Sequence, residues 1–136
     1  MGKVVVDERA IERETFDVIV AGLVAIGEEA KAFLRRETPF ETGYARKSIF
    51  FVVIDERGNV IAGDTRDDNG TPIPSYLPGI ANGTLRVFVG ANAPYYVWID
   101  IGVNGRAGTQ GLARTSDLIA ARTRLMAAER RQLAAA

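Results

Sequence analysis

The first part of the chain has the hydrophobic pattern of one long amphipathic helix. Apolar residues recur three and four positions apart, and charged residues fill the positions between them. The pattern predicts a helix over residues 7–37 that ends before Pro39, because the residue preceding a proline is disfavoured in the helical region. Gly22 and Gly27 lower the helix propensity and therefore predict close packing against the sheet. The apolar face consists of Phe16, Ile19, Val20, Leu23, Ile26, Ala30, Phe33 and Leu34.

The middle of the chain has the pattern of an antiparallel sheet. Residues 49–54 are continuously apolar and rich in β-branched and aromatic side chains, which predicts a strand covered on both faces. A short turn leads to a second strand at 60–62, and alternating apolar residues predict further strands around 85–89 and 97–101. We therefore expect four antiparallel strands within residues 46–101.

A second helix is predicted at the C-terminal end, over residues 115–133, with Thr115 or Ser116 as its N-cap. The predicted fold class is α+β, in which the long N-terminal helix and the C-terminal helix pack on the four-stranded antiparallel sheet. A chain of 136 residues has the length of one compact domain, so residues 1–136 are expected to form a single unit.

Two long loops interrupt this plan. Residues 65–83 are rich in Asp, Asn, Pro and Gly, yet they include apolar side chains that need cover from the same domain or from a neighbour. The loop 102–113 has glycines at every third position around Arg106 and is expected to be a flexible connection.

Composition argues against catalysis. The chain has no Cys and no His, so it lacks disulfides, thiolate nucleophiles, Cys-based zinc sites and the commonest general base. We expect no enzymatic activity and no cofactor. The segment 64–70 resembles a calcium loop, but Thr65 and Tyr76 stand where an EF-hand requires carboxylates, so a solvated acidic turn is expected there. No stretch has the length and apolarity of a transmembrane span, so a protein made in a cytoplasm, without membrane contact, is expected.

Charge is balanced overall, with 17 basic and 17 acidic residues, but it is unevenly distributed. Residues 103–136 contain six basic and two acidic side chains, and the rest of the chain carries the compensating acidic excess. Two interpretations remain open. The basic residues form a solvated helix face, or they meet the acidic surface of a neighbouring subunit.

One motif resembles a known family. The residues Thr38-Pro39-Phe40-Glu41-Thr42-Gly43-Tyr44-Ala45-Arg46-Lys47-Ser48-Ile49 resemble the "P, spacer, TG, spacer, R, basic, SI" signature of the phage tail-completion family. That family includes head-tail connector and minor tail proteins of long-tailed bacteriophages. The stretch 86–102 is similar to its second landmark, a strand pair joined by a short turn, although Asp100 stands where the family tends to have Glu.

The first motif also has a physical interpretation. Pro39 ends the helix, Gly43 permits a turn at positive φ, and Thr42 is expected to hold that turn by a local hydrogen bond. Arg46 and Lys47 are expected to face outward as the strand begins. The motif is therefore predicted to have a structural role, in which it forms the turn between the first helix and the first strand.

The resemblance implies a structural virion protein of the neck or tail, assembled in the cytoplasm of a bacterial host. Copies would form a ring, sixfold by the symmetry usual for phage tails, that joins the tail tube to the head connector and leaves a lumen for DNA. Expected partners are other copies of the chain, head connector or stopper proteins, and tail terminator or tail-tube proteins.

The loops and the basic end are the predicted contact sites. Tyr76 and Leu77 are expected to act as apolar anchors in a neighbouring subunit. Arg106 and Arg114 are expected to meet acidic side chains of the next ring or the phosphates of passing DNA. Two alternatives remain. One is a tail terminator, which also assembles into a ring; the other is a small nucleic-acid-binding or regulatory module, which the basic C-terminal helix favours.

Overall fold

A computed structural model describes residues 8–38, 43–93, 102–103, 106–107 and 110–135 of the chain. Two long helices and a small antiparallel sheet make up most of it, which confirms the α+β class. In chain order the elements are α1 (Glu8–Glu37), α2 (Tyr44–Lys47), β1 (Ile49–Ile54), β2 (Val60–Gly63), a 3-10 turn (Pro78–Ile80), β3 (Arg86–Ala91), β4 (Gly102–Val103), β5 (Arg106–Ala107) and α3 (Gly111–Ala135).

The main sheet has the order β2-β1-β3, and both neighbours of β1 run antiparallel to it. Val53 lies at its centre, opposite Ala62 on one side and Val87 on the other. The three predicted strands that fall within the described residues are thus confirmed. The fourth predicted strand, 97–101, lies outside the described residues. Within the described residues, the main sheet has three strands. The short strands β4 and β5 form a separate two-stranded pair.

The helix α1 matches the predicted range, and its apolar face packs on β1 and β3. Leu23, Ile26, Ala30 and Leu34 are buried there. Phe16 was predicted on the same face but is 46% exposed. The reason is length: a helix of 30 residues spans about 45 Å, and a six-residue strand spans about 20 Å, so the first turns of α1 extend past the sheet.

The helix α3 begins at Gly111, four residues before the predicted start. Thr115 and Ser116, predicted as N-caps, therefore lie inside the helix. The chain turns just before the helix, at Gln110, whose φ of 51° is left-handed. The predicted loop 102–113 is accordingly shorter than expected, since its residues contribute to β4, β5 and the first turn of α3.

The strand β1 is buried along its whole length, as the continuous apolar pattern predicted. The helices cover one face of the sheet, where Phe51 and Val53 join the core around Leu23. The long loop covers the opposite face: Ile73, Leu77 and Ile80 pack with Phe88 and Val60 against Phe50, Val52 and Ile54. The domain therefore has three layers. Among the described residues, no helix has the length and apolarity needed to cross a membrane.

Candidate functional site

The family-like motif forms the junction between α1 and the sheet. Gly43 adopts a φ of 79°, which confirms the predicted turn at positive φ. The next four residues form the short helix α2 instead of the start of a strand, and the Lys47 N–H closes the turn on the Gly43 carbonyl at 3.0 Å. The Ser48 hydroxyl is buried and donates to the Ala45 carbonyl at 2.7 Å. Pro39 and Thr42 lie outside the described residues.

Arg46 does not point outward as predicted. Its Nε donates to the carbonyl of Thr38 at 2.6 Å, while its own carbonyl accepts a hydrogen bond from Arg35 Nε at 3.2 Å. Thr38 is buried and donates through its hydroxyl to the Leu34 carbonyl at 2.7 Å. These bonds satisfy carbonyls at the end of α1 that have no helical partner. Arg46 therefore connects α1 to α2, and Lys47 remains exposed as expected.

The start of the long loop is attached to this junction by polar contacts. Asp64 pairs with Lys31 of α1 at 3.0 Å and accepts the Phe51 N–H at 3.0 Å. Asp68 pairs with Arg35, and the Asp68 N–H donates to the Lys47 carbonyl at 2.9 Å. The side chain of Asn69 donates to the Tyr44 carbonyl at 3.0 Å. Residues 64–69 thus contact α1, α2 and β1 together.

Asp67 is the central residue of this attachment and is only 5% exposed. Its Oδ1 accepts the N–H groups of Asn69 and Thr71, each at 2.9 Å, and its Oδ2 accepts the side chain of Asn92 at 3.0 Å. Burial by itself raises the pKa of Asp67, but the hydrogen bonds from Asn92, Thr71 and Asn69 together hold the pKa below its ordinary value. The segment was interpreted from sequence as a solvated acidic turn, and for Asp67 that was wrong.

The two predicted anchor residues of the loop occupy different environments. Tyr76 is 54% exposed and lies beside the start of β2, in a bridge with Asn59. Leu77 packs on the second face of the sheet, and its N–H donates to the Gly58 carbonyl at 2.7 Å. Leu77 is therefore partly buried against its own subunit, and its role as an anchor in a neighbour stays a prediction. Ile61, 38% exposed at a register shift between β1 and β2, is an apolar surface residue that the sequence pattern did not single out.

The two arginines predicted as contact residues, Arg106 and Arg114, also differ in their surroundings. Arg106 is the first residue of β5, and the predicted contact of its side chain lies outside the described part of the chain. Arg114 forms an ion pair with Glu37 at 2.7 Å, and Arg122 forms one with Glu29 at 2.9 Å. These pairs arise because α3 runs antiparallel along α1. Two of the basic residues of α3 thus meet acidic residues of their own subunit, which neither of the two interpretations from sequence had included.

A cavity of about 550 Å³ lies along β3 and is closed on one side by the first turns of α3. Leu112, Thr115 and Ile119 line it from the helix, and residues 86–91 line it from the strand. The Thr115 hydroxyl is buried there without a hydrogen-bond partner among the described residues. Arg86 is the titratable residue of the lining, and it donates to the Ile80 carbonyl at 3.0 Å. Among the described residues, the lining therefore contains no acid-base pair for general catalysis.

Within the described ranges, no group of three or more Asp, Glu, His or Cys side chains is arranged to hold a metal ion. No family model, no curated protein and no solved structure matches this chain.

Proposed function

We propose that this protein is a structural subunit of the neck of a long-tailed bacteriophage, a tail-completion protein that forms a ring between the tail tube and the head connector and leaves a lumen for DNA. The observation that carries the proposal is the motif at residues 38–49. It resembles the family signature and coincides with the junction between the long first helix and the first strand, where the family has it.

The proposal includes a complete four-stranded sheet, with residues 97–101 as the fourth strand. In its favour, β3 has one neighbour, β1, among the described strands of this sheet, and the cavity lies along β3. Slow amide hydrogen exchange at residues 97–101 in solution is the expected result. Exchange at the rate of an unstructured peptide would contradict the fourth strand.

The proposed contact between subunits involves the surface around Tyr76 and Ile61, beside β2. Both residues are large, apolar and exposed, and aromatic side chains that become desolvated contribute strongly to association. Leu77 is left out of the proposed surface because it packs partly against the sheet of its own subunit. Contacts of this kind, repeated head to tail around a closed ring, need no further chemistry from the protein.

The experiment is a reconstruction of the neck from virions that carry this protein. We expect a ring of six copies between the head connector and the tail tube. A ring that instead caps the tube would favour the tail terminator function, and a virion without the protein in its neck or tail would contradict both.

A pair of tyrosine variants tests the contact surface in the same virions. Tyr76→Ala is expected to reduce incorporation of the protein into the neck without changing its melting temperature, because the side chain is half exposed in the free subunit. Tyr44→Ala is the matched control, since Tyr44 is an exposed tyrosine of α2 at a different place in the fold. Equal incorporation of the Tyr76 variant and the unmodified protein would remove Tyr76 from the proposed interface.

A further inference from the structure

The arginines of α3 divide into two groups by their contacts. Arg114 and Arg122 pair with glutamates of α1, so their charges are compensated within the subunit. Arg124 and Arg131 are exposed, and neither has an ion-pair or hydrogen-bond partner among the described residues. Once Arg114 and Arg122 are paired with α1, helix α3 retains Arg124, the half-buried Arg130 and Arg131 against Asp117 and Glu129, a net charge of +1.

Arg124 and Arg131 lie on one side of the helix. A separation of seven residues is close to two helical turns, which places their Cα atoms about 10.5 Å apart along the axis. The exposed residues on the same side are alanines, and Asp117 is the acidic residue in line with them, two turns earlier. We use the name arginine face for the exposed residues Ala120, Ala121, Arg124, Ala127 and Arg131.

The composition of the arginine face favours a phosphate partner over a protein partner. Protein interfaces depend on large apolar or aromatic side chains that enter pockets; the face itself has none, and the half-exposed Leu125 lies at its border. Phosphate contacts need cations with long side chains, and the small alanines leave room for a nucleic-acid backbone to approach. The face itself has no amide side chain that could read bases, and the exposed Gln132 lies at its border, so binding largely independent of sequence is expected.

We infer that the arginine face of α3 contacts the phosphates of duplex DNA. The inference rests on the proposed function for its setting, in which six subunits surround passing DNA. For two phosphate contacts per subunit, the logarithm of the binding constant is expected to fall with the logarithm of the salt concentration with a slope of about −1.8. Affinity would then decrease roughly tenfold between about 50 mM and 200 mM salt. Contacts this few bind each subunit weakly and reversibly, and they allow the duplex to slide through the lumen.

The experiment measures binding of the full-length protein to a fluorescent duplex of random sequence, by anisotropy over a series of salt concentrations. The test variant is the double substitution Arg124→Gln with Arg131→Gln. The matched control is Arg36→Gln with Arg57→Gln, which removes two exposed arginine charges elsewhere. We expect the test variant to lose nearly all of the salt slope of about 1.8, and the control to keep it.

Three results would overturn the inference. They are no salt-dependent binding by the unmodified protein, an equal loss in the test and control variants, and unchanged binding by the test variant. If the test variant binds DNA normally but is not incorporated into the neck, the arginine face contacts protein instead. A virion reconstruction without the protein in its neck would defeat the proposed function alone, and the binding result would stand.

Discussion

At the scale of single residues, the Asp67 carboxylate holds the start of the long loop against the rest of the domain. It accepts two backbone N–H groups within the loop and the side chain of Asn92 just beyond β3. Several hydrogen-bond donors favour the ionised form of a carboxylate over the protonated form, which agrees with the lowered pKa of Asp67. The loop is therefore attached by a charge that depends on pH.

Asp67→Ala is expected to lower the free energy of unfolding by about 1.5–3 kcal/mol at neutral pH, because it removes hydrogen bonds to a charged group. Since folding lowers the pKa of Asp67, its contribution is fully present above the ordinary value of 3.8 and is lost as the pH falls through the folded value. The difference between variant and unmodified protein should therefore shrink in acid. Urea unfolding at several pH values measures this.

The control for this prediction is Asp68→Ala, which removes an exposed ion pair with Arg35 and is expected to cost less than about 1 kcal/mol. Equal losses in the two variants would mean that Asp67 has no special role.

At the scale of elements, the two glycines of α1 have different neighbours. A Cβ on Gly27 would lie 2.2 Å from Cδ2 of the buried Phe51 ring on β1, whereas a Cβ on Gly22 would lie 2.6 Å from Sδ of Met126 on α3. The predicted close packing against the sheet is thus confirmed for Gly27, and for Gly22 the close neighbour is the other helix. An aromatic ring in a packed core has little room to move, whereas a methionine side chain adapts easily.

Gly27→Ala is therefore expected to lower the free energy of unfolding by up to about 2 kcal/mol, since the overpacking cost exceeds the gain in helix propensity. Gly22→Ala is expected to leave it unchanged or to raise it by up to about 1 kcal/mol, because Met126 can shift. Thermal unfolding of the two variants measures the difference, because both carry the same substitution in the same helix. A more stable Gly27 variant would show that the helix can move away from the sheet at no cost.

At the scale of the whole molecule, the long loop forms the third layer of the domain. The sheet has two faces, and the helices cover one of them. The other face presents Phe50, Val52 and Ile54, which the loop covers through Ile73, Leu77 and Ile80. The loop thus belongs to the folded core while its Tyr76 remains at the surface.

Leu77→Ala is expected to lower the free energy of unfolding by about 1–3 kcal/mol, somewhat less than for a fully buried leucine, because Leu77 is partly buried. Tyr76→Ala, at the adjacent exposed position, is expected to change it by less than about 0.5 kcal/mol. Chemical denaturation of the two variants gives the comparison. If Leu77 proves neutral, the loop does not contribute to the core of the free subunit.

The sequence by itself determined the elements whose signals are local. The apolar period of α1, the continuous apolar run of β1 and the turn at Gly43 each follow from residues close together in the chain, and the structure confirms all three. The start of α3 was predicted four residues late, because Thr115 resembles a cap while the chain actually turns at Gln110. Helix starts depend on backbone conformation, which residue type indicates only weakly.

The tertiary structure alone decided the surroundings of the predicted contact residues. The sequence offered Tyr76 and Leu77 as apolar anchors and Arg114 as a cationic contact, but residue type does not distinguish an exposed position from a packed one. In the fold, Leu77 is partly buried against the sheet, and Arg114 pairs with Glu37 because α3 runs antiparallel along α1. Burial and ion pairing are contacts between residues distant in the chain, so they become known only when the layers are assembled.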